Sequence, residues 1–343
     1  MDDYMKILFL TNHKHLPELY GGMELNTHEL CHLLIKRGHK VAVACRLEGG
    51  FTKVGLTNKV YNIFGYKFSK DYFNQYLCYR SFDMVDNVKV IIKDFEPDIV
   101  VLQGGHKHLE ILKQIKSCPV VVYIHSIESI NYKTDKNISY IANSNFTKET
   151  VNINFDIVIP PIIIPKKYKV SSSNEDIIFV NPSKHKGLEV VNGLAKLNPN
   201  LSFKYIVNSK KNDNSSYNNI NNVEVIGPVN NMKSVYRSAR LLIAPSVWDE
   251  TWGRVASEAH CSGIPVLASK TGGLTESVGY GGICVPKNAS INDWNKALHK
   301  IVNHENYEKF KKSSYEYSQR KEIDVKVLID KFESHLLTRY HEK

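Results

Sequence analysis

Short runs of β-branched and other apolar residues recur along the chain, and apolar positions at helical spacing fall between them. This alternation predicts parallel sheets wrapped by helices. In the first half the strand runs are residues 6–11, 41–45, 98–103, 120–124 and 140–143. A helix is predicted over residues 23–36, with Leu30, Leu33 and Leu34 on one face and Gly38 placed to end it in the left-handed conformation. Residues 157–165 read IVIPPIIIP, where three prolines forbid a central strand and stiffen the chain, and the polar stretch SSSNED follows. A domain boundary is placed there. The alternation restarts with runs at 177–180, 201–207, 223–226, 241–244 and 264–268, a second sheet of the same kind. Beyond Asp293 the pattern is helical, and residues 321–337 carry Ile323, Val327, Ile329, Phe332 and Leu336 at mixed three- and four-residue spacing, a face that must pack on something. The Asn-rich segment 208–222 has no apolar period and reads as a surface loop.

A length of 343 residues suits two cores better than one, and two domains imply a cleft. Hydrophobic residues at 42% and charged residues at 23% give the balance of a soluble globular protein. The apolar run in MDDYMKILFL is too short for a signal peptide, and no stretch approaches a membrane span, so a cytoplasmic location is expected. On that expectation the Asn-x-Ser/Thr matches at Asn137 and Asn145 are chance. The six cysteines (Cys31, Cys45, Cys78, Cys118, Cys261, Cys284) form no Cys-x-x-Cys pair and read as small core hydrophobes. His13, His15, His106 and His108 lack metal-ligand spacing, and no metal is expected. A net charge of +10 favours anionic partners, but lysines are spread rather than striped and no nucleic-acid motif is present. No nucleic-acid partner is expected.

The stretch APSVWDETWGRVASEAHCSGIPVLASKTGG, residues 244–273, reads strand, loop, helix, cap, strand, glycine loop. In open α/β sheets ligands sit beyond the carboxyl ends of strands, and the loop after 241–244 brings Glu250, Thr251, Trp252 and Gly253 to that edge. The backbone N–H groups of Gly253, Arg254 and Val255 at the following helix start make an anion site suited to a diphosphate. Glu250 and Glu258 flank it. Carboxylates repel phosphate but bind hydroxyls, and a sugar nucleotide offers hydroxyls on both sides of its diphosphate.

Here the chain resembles the retaining glycosyltransferase family 4, of two-domain GT-B architecture, whose signature is E-x-F-G-x-x-x-x-E-A followed by G-x-P-V. This sequence has E-T-W-G-R-V-A-S-E-A and G-I-P-V; GGME follows the first strand, a strand ends at His125, NSNFTKE resembles the family's serine-led turn, and KTGGLTE follows a late strand. The resemblance implies an α/β GT-B fold, two Rossmann-like domains with parallel sheets facing across a cleft. Residues 1–165 would form the acceptor-side domain and 166–320 the nucleotide-sugar domain, with 321–343 a helix crossing back to the first.

By the same resemblance Glu258 would hold the ribose hydroxyls, Glu250 a hydroxyl of the donor sugar, and the amides of Gly253, Arg254 and Val255 the diphosphate. Lys186, in NPSKHKG, matches the family's diphosphate-binding lysine and would neutralise charge on the leaving group. The family usually carries an arginine a few residues earlier; here Lys184 is the candidate substitute, a point charge without arginine's fork. Trp252 stands where phenylalanine is common, for stacking or packing. Gly21 and Gly22 would bring amides near the donor phosphate or the acceptor, and His125 would sit near the donor sugar. Retention is implied with the leaving diphosphate taking the acceptor's proton. No cofactor is expected; the partners are a nucleotide-sugar donor and an unnamed acceptor. Residues 65–80 mix six aromatics with three basic residues and read as a half-buried loop and helix, or as an acceptor or peripheral membrane contact. Rival readings are a sugar-nucleotide epimerase on a similar frame and a sugar-nucleotide-binding protein without catalysis.

Overall fold

The computed structural model describes residues 4–47, 53–65, 67–103, 105, 107–127, 138–207, 219–229 and 231–342. Most of the Asn-rich segment, together with Asn137 and His106, lies outside the described residues. Two compact units emerge, Met1–Ile162 with Val325–Lys343 (unit 1) and Ile163–Asp324 (unit 2).

Unit 1 carries β1 (Lys6–Leu10), β2 (Lys40–Arg46), β3 (Ser69–Asp71), β4 (Leu77–Ser81), β5 (Ile99–Gln103), β6 (Val120–Ile124), β7 (Ile138–Ala142) and β8 (Ile157–Val158). They form one sheet in the order β3-β4-β2-β1-β5-β6-β7-β8, parallel apart from the antiparallel β3–β4 pair. Helices α1 (Gly22–Lys36), α2 (Lys53–Ile63), α3 (Met84–Phe95), α4 (His108–Leu112) and α5 (Asn145–Thr150) connect them. β5 and β6 are buried at every position, as continuous apolar runs covered on both faces must be. Gly38 ends α1 with φ of 96°, its N–H donating to Ile35 O while the N–H of His39 donates to Leu34 O, which satisfies carbonyls the helix leaves open. β8, beside the prolines, is a two-residue edge strand, where missing N–H donors do least harm.

Residues 65–80 are not a loop and helix, as their composition suggested, but lead into and largely build the β3–β4 hairpin. The misreading has a physical source in Arg80, a charge in the middle of a fully buried strand stretch. Its guanidinium is satisfied by Asp71 at 2.5 Å and by Leu16 O at 2.6 Å, so the strand tolerates a residue that sequence patterning counts against it.

Unit 2 carries β9 (Asp176–Val180), β10 (Ser202–Ile206), β11 (Val223–Ile226), β12 (Ala239–Ala244), β13 (Val266–Lys270) and β14 (Gly282–Pro286), all parallel, in the order β11-β10-β9-β12-β13-β14. Helices α6 (Leu188–Leu197), α7 (Met232–Tyr236), α8 (Arg254–His260), α9 (Leu274–Val278), α10 (Ile291–Val302) and α11 (His304–Ser318) cover it. Alternate residues of β9 supply two separate cores: Ile177 and Phe179 pack with Leu194, Trp294 and Leu298, while Ile178 packs with Ala256, Ala259 and Val278. β14, reading GICVP, was missed in the sequence because glycine and proline at its ends mask an edge strand.

The last helix, α12 (Val325–His341), belongs to unit 1. Its Phe332 stacks on Phe9 at 6.1 Å and touches Tyr123 at 6.0 Å, Glu333 accepts from His39 Nε2 at 2.8 Å and pairs with Arg37, and His335 bonds Ser139 at 2.6 Å. Of the apolar positions seen in the sequence, Ile329, Phe332 and Leu336 are the ones α12 buries, Phe332 against Phe9 of β1. Among the described residues no helix is long and apolar enough to cross a membrane.

Candidate functional site

In unit 2 the chain runs outward from β9 to β10 and β11 on one side, and from β12 to β13 and β14 on the other. β9 and β12 are neighbours at the point where the strand order changes direction, and the loops beyond the carboxyl ends of such strands are where open α/β sheets bind ligands. The loop after β9 ends in a 3₁₀ turn at Lys184–Lys186, and the loop after β12 spans residues 245–253.

These two loops touch. The N–H of Val247 donates to His185 O at 2.9 Å, and a Cβ on Gly187, whose φ is +81°, would lie 2.0 Å from Pro245 O. Only glycine permits that approach. A third loop, residues 271–273 after β13, closes on the second: Gly273 N–H donates to Glu250 O at 2.7 Å, and Thr271 and Lys287 hold the Asp249 carboxylate. Those two bonds also pull the Asp249 carboxyl below its usual range, the Thr271 hydroxyl most. A Cβ on Gly272 would meet Glu250 O at 2.2 Å, and one on Gly273 would meet Thr251 O at 2.1 Å. The Glu250 backbone is therefore fixed from both sides.

Its side chain meets a cation. Glu250 Oε1 accepts from Lys186 Nζ at 2.9 Å and from the Ser246 hydroxyl. Lys186 Nζ also lies 5.2 Å from the centre of the Trp248 ring, which stacks with His185 at 5.8 Å. The structure brings together the lysine that the family resemblance singled out and the glutamate that opens the E-x7-E spacing, and adds Ser246 and Trp248, whose participation no local motif announces. Lys184 stands exposed on the same turn.

Gly253 is the N-cap of α8 with φ of +88°, and a Cβ there would lie 2.4 Å from Leu274 Cδ1. The following helix start is at Arg254, with Val255 half-buried beside it. The Arg254 side chain is engaged as well. Its Nε meets Glu258 Oε1 at 3.3 Å and its Nη2 meets the Tyr168 hydroxyl at 3.3 Å, while Tyr236 donates to Glu258 Oε2 at 3.4 Å. Burial pushes the Glu258 carboxyl above its ordinary value, and Arg254, Tyr168 and Tyr236 pull it back. The i,i+4 spacing of Arg254 and Glu258 was readable; the two tyrosines arrive from distant segments and were not. Trp252 is 4% exposed, its Nε1 donates to Ser257 at 3.1 Å and Arg320 lies 5.9 Å from its ring centre. Of the stacking and packing roles open to it, the structure describes packing.

Unit 1 has its own change of direction, between β1 and β5, whose following loops meet where a Cβ on Gly105 would fall 2.7 Å from His13 Nε2. Gly21 and Gly22 end the β1 loop and start α1. Glu24 folds back over them: a Cβ on Gly21 would lie 2.2 Å from Glu24 Oε2. Burial raises the Glu24 carboxyl to about 7, against the backbone N–H groups of Glu24 and Gly21, which favour its ionised form. The same loop is tied down by His15, whose Nε2 bonds the Tyr76 hydroxyl at 2.8 Å, with His28 Nδ1 at 3.1 Å from that hydroxyl. His125 follows β6, half-buried, its ring 4.1 Å from that of Tyr123. Ser144, in the turn after β7, caps α5 by accepting from Thr147 N at 2.9 Å. Among the described residues no cluster of three or more His, Cys, Asp or Glu is placed to hold a metal ion.

Two units, each built on a largely parallel sheet covered by helices, are the Rossmann-like halves of a GT-B fold. Residues 20–161 match the family described as Glycosyltransferase Family 4, and residues 165–318 match Glycosyl transferases group 1; the chain belongs to the family 4 type of glycosyltransferases. A stretch of 73 residues is 42% identical to a D-inositol 3-phosphate glycosyltransferase of Gordonia bronchialis, covering 21% of this chain and 16% of that one. A 99-residue stretch is 32% identical to the protein of that name in a Nocardioides species, covering 26% and 21%. Among solved structures, sucrose-phosphate synthase from Thermosynechococcus elongatus superposes with a TM-score of 0.78 at 15% identity, over 98% of this chain and all of that one (100%). Anabaena HepE, solved with UDP-glucose, superposes with a TM-score of 0.74 at 19% identity, over 97% and 99%.

Proposed function

We propose that the protein is a retaining glycosyltransferase that takes a sugar from a nucleoside-diphosphate donor held by unit 2 and passes it to an acceptor hydroxyl. The observation that carries this reading is the Lys186–Glu250 pair at the β9–β12 edge, on a loop whose glycines admit close backbone approach. Lys186 Nζ has three N–H donors, so one on Glu250 leaves others for diphosphate oxygens. Lys186 and Ser246 both engage Oε1 of Glu250, which makes Oε2 the oxygen for a donor-sugar hydroxyl. The amides of Gly253, Arg254 and Val255 take the diphosphate, and Glu258, steadied by Arg254, takes the ribose hydroxyls. His125 and the Gly21–Gly22 backbone serve the sugar and acceptor from unit 1.

In the reaction the bond from the anomeric carbon to the diphosphate oxygen breaks and a bond to the acceptor oxygen forms on the same face. The acceptor's proton passes to the departing diphosphate. Charge accumulates on that diphosphate, so stabilising it is the main task of Lys186. UDP is the first nucleotide to test, because Anabaena HepE was solved with UDP and UDP-glucose.

The test is a thermal-shift and donor-hydrolysis screen with UDP-, GDP-, ADP- and dTDP-sugars on the parent and on Lys186→Ala. One nucleotide sugar should raise the melting temperature, with slow release of sugar. The variant should lose about 10²–10³-fold in turnover, while its own melting temperature moves little, since a partly exposed ion pair contributes at most about 1 kcal/mol. No stabilisation by any of the four, or full activity in the variant, would remove the site from consideration.

A further inference from the structure

The loop that delivers Glu250 also carries two apolar side chains at the surface. Val247 and Trp248 are 45% and 41% exposed, whereas Trp252 and Trp294 are 4% and 2% exposed. The Trp248 indole is nonetheless held in place. His185 packs on it with the ring planes 29° apart, and the bond from Val247 N–H to His185 O fixes the backbone just before it. Trp252 Nε1 is spent on Ser257, but among the described residues nothing accepts from the Nε1 of Trp248. An indole braced in one orientation, with its N–H open to water or ligand, offers a flat apolar face and a polar handle at little cost in side-chain freedom. That combination suits a sugar ring, whose C–H groups gather on one face and whose hydroxyls lie around the edge.

The position of the indole decides which ring it takes. Lys186 Nζ touches both Trp248 and Glu250, 5.2 Å from the ring centre and 2.9 Å from Oε1. In the donor order proposed above, Glu258 marks the ribose, Lys186 the diphosphate and Glu250 the transferred sugar, so Trp248 stands beside the leaving group and not at the ribose end. When the new bond forms on the face from which the diphosphate departs, the acceptor oxygen must approach next to that leaving group. A ring stacked on Trp248 is therefore the acceptor's, while a nucleobase belongs beyond Glu258. An alkyl chain would need a longer apolar wall than this loop supplies, since Ser246 and Asp249 flank Val247 and Trp248.

We propose that Trp248, braced by His185, is a stacking platform for the acceptor and that the acceptor presents a pyranoside, its C–H face laid on the indole beside Lys186. The assignment to the acceptor rests on the transferase reading; the stacking itself does not require turnover.

The chain has three tryptophans, and only Trp248 is open to a quencher in water, so acrylamide quenching of the full chain reads this ring selectively. The probes are the methyl glycosides of glucose, galactose, mannose and N-acetylglucosamine, with glycerol at matched viscosity as control, each in the presence of UDP, GDP, ADP or dTDP. At least one glycoside should lower the quenching constant by about half or more. In transfer to that glycoside, Trp248→Ala should raise the acceptor KM at least about tenfold with a smaller loss in kcat, and Trp248→Phe should stay within about threefold of the parent. Shielding by a nucleoside diphosphate alone would give the ring to the base, and shielding by no glycoside would leave it without a sugar. A fall in kcat at unchanged KM would mean that Trp248 acts only by holding Lys186. Each of these three results overturns the proposal. Failure of the transferase reading looks different, because no nucleotide sugar then shifts the melting temperature, whether or not a glycoside shields Trp248.

Discussion

Glu24 offers a measurement in which structure fixes both sign and size. Its carboxyl is 5% exposed, and burial raises it from an ordinary value of 4.5 to about 7. In the unfolded chain it ionises freely near its ordinary value, so between about 4.5 and 7 the folded protein holds a proton that the unfolded protein has released. Stability must therefore fall as pH rises through that window, with the penalty absent below it and complete above it. The separation of about 2.5 units, at about 1.4 kcal/mol per unit, sets the full effect at roughly 3 kcal/mol. Glu24→Gln removes the ionisation but keeps a carbonyl oxygen to accept from Gly21 N–H. Urea unfolding of parent and variant at a series of pH values isolates the effect, because every other titrating group cancels in the difference. One such group is His15, which burial drives down to about 3 and which favours the folded state at higher pH. The variant should match the parent near pH 4.5 and exceed it by roughly 3 kcal/mol above pH 7. A difference that stays flat across the window, or one that shrinks as pH rises, would refute the assignment of a buried, proton-holding carboxyl at the start of α1.

Three further substitutions probe the same scaffold. Glu258→Ala should weaken binding of the donor nucleotide in calorimetry and also lower stability by about 3–5 kcal/mol, because the buried Arg254 guanidinium loses the carboxylate it pairs with; unchanged affinity would take the ribose contact away from Glu258. Gly272→Ala places a methyl group 2.2 Å from Glu250 O at a φ of +52°, so the Glu250 loop must shift, and donor turnover should fall more than the melting temperature does. Parent-like kinetics in that variant would show the loop to be unconstrained. Tyr76→Phe deletes the hydroxyl shared by His15 and His28 and should cost about 1–3 kcal/mol in denaturant unfolding, whereas no loss would mean that water replaces it.

What the sequence disclosed divides along a physical line. Strands such as VVVYI declare themselves, because a parallel strand covered on both faces must be apolar at every position. β4 escaped because Arg80 and Ser81 break that rule, and their compensation by Asp71 and Leu16 O, like the bond of Ser81 to Lys67 O, depends on residues a sequence window does not hold together. The unit 2 site shows the same division. Glu250, Gly253 and Glu258 lie within one strand–loop–helix passage, so their spacing carries the geometry. Lys186 was recognisable only by resemblance, and its meeting with Glu250 is a product of β9 and β12 lying side by side. Ser246 and Trp248 are near neighbours in sequence without any distinguishing pattern, while Tyr168 and Tyr236 reach the Arg254–Glu258 pair from segments that no local period connects to it. Glu24 stood inside the GGME motif throughout, yet its raised carboxyl comes from burial, which a motif does not encode.

Because α12 belongs to unit 1 but follows all of unit 2, the two halves face different circumstances on the ribosome. Unit 2 is one continuous stretch and is complete once synthesis passes Asp324. Unit 1 must wait with Phe9 lacking its stacking partner Phe332, and His39 and Arg37 lacking Glu333, while the whole of unit 2 is made. At translation rates of about 5–20 residues per second that interval is on the order of ten seconds or more. During it the nascent chain displays an apolar sheet face, a natural target for holding chaperones. A chain cut just before α12 would prolong that state indefinitely, so stop codons in the last helix should yield aggregated rather than merely inactive protein.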